Sequence, residues 1–381
     1  MQSEKVGLVS ETFEIKLNYS TDQFTELPDK RKYHKNIAIN KSFSTGSHIF
    51  YLNTFFFFLF LINFKFSSAQ DLRFSQWHAS ETFVNPAFAG SYSQPRIILN
   101  FRDQWPDMPQ TYISYRASYD GYLNAIRSGI GAYVCQDNQG DGALQTSAIG
   151  FQYMYQARLS ENWALNFGID MGFKQMRVNW TNLQFLDQID LLYGFNDVLG
   201  NSNPTSEPTP ESLSTSYFDI GAGVLIYSKN VYAGFSAGHL TQPTISFLGN
   251  NASAIPVSFS AQAGVLIQNG KRDPLVINPF ALYSGQAGFN QIQAGLYVKK
   301  GIILTGLFFK HNTYNLSDVV VCAGVTKGLI KFAYSYDIAV GDLAGISGGG
   351  HEVSLVFSFK ENEGRTKRNN QKSILDCPSI L

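Results

Sequence analysis

Along residues 165–174, Leu165, Phe167, Ile169, Met171 and Phe173 take alternate positions, with Asn166, Gly168, Asp170, Gly172 and Lys174 between them. A period of two belongs to an extended strand, whose successive side chains point to opposite faces, so the segment has one apolar and one polar face. The pattern recurs. Ile97, Leu99 and Phe101 alternate with Arg96, Asn100 and Arg102, and Ile113, Tyr115, Ala117 and Tyr119 alternate with Ser114, Arg116, Ser118 and Asp120. Near the end, Ile330, Phe332, Tyr334 and Tyr336 stand against Lys331, Ser335 and Asp337, and Val353, Leu355, Phe357 and Phe359 against Ser354 and Ser358. No comparably long stretch has helical periodicity.

The pattern predicts fourteen strands, over 95–103, 110–120, 128–137, 143–159, 163–177, 215–228, 230–239, 256–268, 274–283, 290–299, 301–311, 317–327, 329–337 and 350–360. Alternation is weak in 128–137 and 301–311. Lengths near ten suit a tilted strand crossing a bilayer, whereas strands of soluble proteins average about five or six residues. The connections test this independently, because in an up-and-down barrel alternate connections share one rim. Short turns at 160–162, 228–230, 268–273, 299–301 and 328 fall on one rim; 137–142, 178–214, 240–255 and 338–349 fall on the other. Short periplasmic turns, long outer loops and an even strand number predict an all-β, transmembrane up-and-down antiparallel β-barrel over residues 95–360, set in outer-membrane lipid. Closure is required because an open sheet edge in hydrocarbon leaves backbone N–H and C=O groups unpaired. A soluble β-sandwich or propeller is the rival, and strands of this length with no second layer count against it.

Composition sharpens the reading. The 381 residues are 44% hydrophobic, 14% aromatic and only 15% charged, and 29 Lys plus Arg balance 29 Asp plus Glu, so no global field favours nucleic acid. Residues 49–62, IFYLNTFFFFLFLI, form an apolar run that leads into FKFSSAQ, the small-residue exit expected before a signal peptidase site after Ala69. The 48 polar residues ahead of it are long for an n-region, so either translation starts downstream of Met1 or the n-region is unusual; a signal anchor is the alternative. Residues 1–69 are therefore assigned to export, 70–94 to a periplasmic or plug segment, and 361–381 to a periplasmic tail.

Candidate chemistry is thin. Cys135, Cys322 and Cys377 are too few and too scattered for a disulfide framework or a zinc site; the first two read as small packing residues in strands and the third as part of a mobile tail. DNQGDG, residues 137–142, spaces Asp137, Gln139 and Asp141 like a calcium loop, but Ala148 stands where an EF-hand needs its bidentate acid, so a hairpin turn is the plainer reading. His351 and Glu352 are adjacent on a strand and point to opposite faces, so they cannot jointly orient a substrate, and no nucleophile elbow or phosphate loop is present. No enzyme activity and no cofactor or metal is expected. The Ser, Thr and Pro-rich stretch 201–214 reads as a mobile outer loop. Tyr133, Tyr217 and Tyr232 face inward and favour a filled lumen over an open one.

Several stretches resemble the PorP/SprF family of outer-membrane proteins of the type IX secretion system in gliding and related Bacteroidota. They are QDLRFSQWHASETFVNPAFAGSY (70–92), LNFRDQWP (99–106), YRASYDG (115–121), QGDGALQTSAIGFQYMY (139–155), YAGFSAGHL (232–240) and FAYSYDIAVGDLAGISGGGHEVSLVFSF (332–359). The resemblance implies a barrel that helps export, or holds at the cell surface, a large adhesin-like protein with a C-terminal sorting domain. It also implies links to the secretion machinery and to periplasmic ring or peptidoglycan-associated components. By position, Asn85, Pro86, Phe88, Ala89 and Gly90 match the family's N-terminal signature, Arg102, Gln104, Trp105 and Pro106 its first loop, and Tyr334, Ser335, Tyr336 and Asp337 with Gly350, His351 and Glu352 its closing motif. Arg102 is expected to pair with Asp120 or Asp337 inside the barrel. The DCPSIL ending is similar to the Cys-Pro endings of relatives, with Ile and Leu where an aromatic commonly sits. A diffusion porin is the alternative function.

Overall fold

The computed structural model describes residues 71–359, apart from Ser93, Glu211, 248–252, 271–273 and Asn315, together with Cys377 and Pro378. The expected export signal and most of the tail lie outside the described residues.

Fourteen antiparallel strands form a closed wall. They are β1 (Arg96–Gln104), β2 (Tyr112–Leu123), β3 (Ser128–Gln139), β4 (Leu144–Arg158), β5 (Ala164–Val178), β6 (Ser214–Tyr227) and β7 (Val231–Gly238). The second half adds β8 (Ser258–Val265, continued by Ile267–Asn269), β9 (Leu275–Gln286), β10 (Phe289–Lys300), β11 (Ile303–Asn312), β12 (Asp318–Lys327), β13 (Ile330–Ala339) and β14 (Gly350–Ser358). Each strand pairs with its neighbours in sequence, and β1 closes the ring on β14 from Arg96↔Ser358 to Gln104↔Gly350. Closure gives every strand of the wall a partner on both sides.

The alternation in the sequence becomes inside and outside. On β5, Phe167, Ile169, Met171 and Phe173 are exposed on the outer surface, while Asn166 and Gly168 are buried in the lumen. The two weakly alternating strands are regular members of the wall, and their inward residues explain the weak signal. β11 turns Leu304 and Phe308 inward at 1% and 2% exposure, and β3 turns Tyr133 and Cys135 inward after Gly129 and Gly131, so both faces carry apolar residues.

One rim carries short connections, among them 159–163, 228–230, 301–302 and 328–329; the other carries 105–111, 179–213, 239–257 and 340–349. The stretch 201–214, expected to be a mobile outer loop, falls almost wholly in the connection 179–213. Asp187 accepts hydrogen bonds from Thr205 and Ser206, Asp197 accepts from the amides of Leu199 and Asn201, and Asn203 donates to the Gln188 carbonyl. These bonds fold the Ser/Thr/Pro stretch back on residues 187–197. The turns so formed hold Leu191, Leu192 and Leu199 at 99%, 84% and 86% exposure, an apolar tip beyond the rim.

Candidate functional site: the lumen and its resident segment

Residues 71–92 run through the barrel from the long-loop rim to the short-turn rim. They form only two 3-10 turns, Trp77–Ala79 and Pro86–Phe88, and the one-turn helix Glu81–Val84 between them. An irregular chain shut away from water must have its backbone carbonyls and amides bonded by something else. The inward side chains of the wall do this one by one. Gln293 donates to the Ser75 carbonyl (2.7 Å), Asn100 to Ala79 (3.2 Å), Gln152 to Thr82 (2.7 Å), Ser236 to Val84 (2.7 Å) and Asn166 to Ala87 (3.1 Å). The polar face predicted from alternation is thus addressed to a peptide, where an open channel would address it to water.

Carboxylates take the amides. Glu352, fully buried, accepts from the backbone N–H of Ser75 at 2.7 Å and of Gln76 at 2.9 Å. Arg102 bridges Glu352 (3.0 Å) and Asp337 (2.8 Å), and Lys310 reaches Asp337 at 2.7 Å. The Ser75 hydroxyl donates to Asp337 and receives hydrogen bonds from Arg102 and Lys310. Around one serine two cations thus face two buried carboxylates, and Lys310 also pairs with the partly exposed Asp318 at 3.0 Å; charges buried this deeply require such partners. A second set closes the other end. Arg96 pairs with Asp120 (3.1 Å) and Glu81 (3.3 Å), and Gly90 donates its amide to Asp120. Asp120, expected as a possible partner of Arg102, belongs to Arg96 because the β1–β2 register sets those two residues opposite each other.

Contact between segment and wall is closest at glycines. A side chain at Gly168 would run into the backbone of Pro86 and Ala87, and one at Gly129 into the Ala89 carbonyl. Toward the short-turn rim aromatic rings fill much of the lumen. His78 lies edge-on to Phe280 (4.9 Å) and Tyr297 (4.6 Å), Trp77 lies 6.0 Å from Tyr232, and Phe308 packs on Phe280. Toward the long-loop rim a cavity of about 410 Å³ remains beside the segment, lined among others by Arg116, Tyr133, Asp170, Lys174 and His239. His239, just beyond β7, lines it beside Asp71. Burial disfavours a charged His239 ring, but Asp219 at 2.9 Å and Asp71 at 2.6 Å more than offset this and raise its pKa to about 9.

The residues singled out in the sequence separate into three groups. Asn85, Pro86, Phe88, Ala89 and Gly90 are all in the luminal segment. Asn85 caps Ala87 and donates to the carbonyls of Val224 and Phe235, and Phe88 packs edge-on to Trp77. Arg102, Asp337 and Glu352 meet in the buried network, with Gln104 accepting from Arg102. Arg102 lies on β1, within the strand expected over 95–103, and Gln104, matched to the family's first loop, is corrected to the last residue of that strand; the connection starts at Trp105 and Pro106, where Trp105 donates its amide to Gly349 and meets Tyr112 edge-on. Tyr334, Tyr336 and His351 are on the outer surface, with the Tyr334 hydroxyl 2.8 Å from His351 Nδ1. Such aromatics suit the girdle at a membrane interface.

Missed from the sequence were Ser75, Gln76, Glu81, Arg96 and Lys310. The cations carried a usable signal, since each is a charge at an inward position of a predicted strand; Ser75 and Gln76 lie in a segment without a period and carried none. The reading of Cys377 as part of a mobile tail is also corrected. Cys377 is buried at 3% exposure, and its amide donates to the Ser91 carbonyl at 3.1 Å, at the short-turn mouth.

A family model described as type IX secretion system membrane protein PorP/SprF matches residues 66–357. No curated protein matches the chain. Among solved structures, the toluene transporter TbuX of Ralstonia pickettii is similar at 10% identity over 74% of this chain and 94% of that one, with a TM-score of 0.43. The toluene transporter TodX of P. putida matches at 10% identity over 73% and 93%, with a TM-score of 0.40. CdiB from Acinetobacter baumannii matches at 9% over 70% and 60%, with a TM-score of 0.39. Likeness at this level says nothing of what passes through or binds to the present barrel.

Proposed function

This chain belongs to the PorP/SprF family of type IX secretion system membrane proteins, and from that premise we infer that it assists the export or surface attachment of a large adhesin-like client bearing a C-terminal sorting domain. It is an outer-membrane β-barrel associated with the secretion machinery. In this reading the long-loop rim faces outward and the short-turn rim faces the periplasm, toward ring or peptidoglycan-associated components. The luminal segment acts as a permanent plug, and the client engages the outer cavity and the apolar tip at Leu191, Leu192 and Leu199.

The observation that carries the reading is the bonding of residues 71–92 to the wall. A diffusion porin needs a wide aqueous lumen, whereas here wall donors meet the segment's carbonyls and a four-charge network holds Ser75 and Gln76. Two measurements test it. The purified barrel in planar bilayers should conduct no small ions steadily; steady conductance restores the porin. In a strain lacking this protein, at least one sorting-domain adhesin should vanish from the cell surface, and normal display of all of them overturns the secretion role.

A further inference from the structure

Burying two consecutive residues normally takes two amide donors away from water. At Cys377-Pro378 the first donor is used on the Ser91 carbonyl and the second does not exist, because proline has no N–H. Both residues are buried. Cys377 adds a small, weakly polar side chain, among the easiest to place in a dry site. A Cys-Pro pair is therefore a peptide that can enter an apolar pocket with a single backbone hydrogen bond and leave no orphan donor.

The seat matches it. Cys377 belongs to the buried cluster that joins Trp77 and Phe88 of the luminal segment to Ala164, Tyr227 and Tyr232 of the wall. Ala164 opens β5 and Tyr227 closes β6, so the seat is at the short-turn mouth. Its acceptor, Ser91, stands four residues before the Pro95 carbonyl that receives the amide of Phe359 as the wall ends. Phe359, where the wall ends, and Cys377 are thus both bonded close to the exit of the luminal segment.

We propose that the short-turn mouth is a peptide-binding pocket and that its ligand is this chain's own carboxy-terminal Cys-Pro segment. Seating couples the tail to the luminal segment: whatever holds the segment in place favours the docked tail, and a docked tail holds the segment, by the same factor in each direction. If the family reading of a periplasmic partner is right, a partner that grips the tail must first compete with this pocket. The pocket itself does not depend on that reading.

The test uses a fluorescent peptide of residues 373–381 and the barrel in detergent micelles. A chain ending at Phe359 should bind the peptide saturably, and the intact chain should bind it at least about tenfold more weakly, because its pocket is filled. A Pro378→Ala peptide, which restores an unmet donor, should bind the shortened chain about tenfold more weakly. No saturable binding to the shortened chain, or equal binding to both chains, overturns the proposal. A second measurement needs no truncation. With Cys135→Ser and Cys322→Ser in the full chain, a maleimide should label Cys377 at least about tenfold more slowly in the folded barrel than in urea. Equal rates overturn the proposal, and protection lost on dilution overturns its intramolecular form in favour of a second copy's tail.

Discussion

The two halves of the lumen close it in different ways. Near the short-turn rim the segment meets the wall through aromatic rings, His78 with Phe280 and Tyr297 among them, through backbone pressed against glycine, and through one ion-pair set, Arg96 with Glu81 and Asp120. Near the long-loop rim it meets the wall through charges, and space is left beside it. Packing interactions are short-ranged and non-directional, so they seal; buried ion pairs are directional and fail badly when one member is lost, so they fix register. A seal belongs where nothing should pass, and a polar cavity where something is to be received.

Removing Arg102 should do most to break this contrast. In Arg102→Ala, Glu352 loses its only cation among the described contacts and Asp337 keeps only Lys310, so the polar half should lose about 3–5 kcal/mol of stability. Urea unfolding of the refolded barrel, followed by tryptophan fluorescence, checks this. Arg102→Lys should recover only part, because a point charge cannot reproduce the fork that reaches two carboxylates. A loss under about 1 kcal/mol for Arg102→Ala would mean that the network is ornamental.

Gly168→Ala addresses the sealed half. The new Cβ collides with the backbone of Pro86 and Ala87, neither of which can rotate away, so the cost should be about 1–3 kcal/mol. The readout is different in kind: intermittent leak across a planar bilayer, absent from Arg102→Ala if the aromatic seal stands alone. Leak in Arg102→Ala and none in Gly168→Ala would reverse the assignment of roles.

The same contrast decides what the sequence revealed. Strands were legible wherever an apolar outer face opposed a polar inner one, as on β5 and β14, because lipid-facing and lumen-facing positions alternate strictly. They faded on β3 and β11, where Tyr133, Leu304 and Phe308 make the inner face apolar as well. Arg102 was expected to pair with Asp120 or Asp337, and it pairs with Asp337. Arg96 with Asp120, and Arg102 with Glu352, follow from antiparallel register once strand ends are known, and alternation alone does not supply register. The luminal segment has no period to read, since its bonds are made by the wall, and the seat of Cys377 forms only when distant parts of the chain meet.

The smallest effect is expected from pH, and it should touch the polar half alone. His239 has its pKa raised from 6.5 to about 9. A base whose folded pKa exceeds its unfolded value stabilises the fold fully below the unfolded pKa and loses that contribution as pH rises through the folded one. The clamp of His239 on Asp71 and Asp219 should therefore be intact at pH 6 and released by pH 10, loosening the segment at Asp71 while Trp77 and Phe88 stay packed. Hydrogen exchange at matched intrinsic rates should show protection of residues 71–74 falling between these pH values and that of 85–90 unchanged, and His239→Gln should abolish the difference. A uniform fall along the whole segment would show that its two ends are held as one unit and that the contrast between seal and receptor is false.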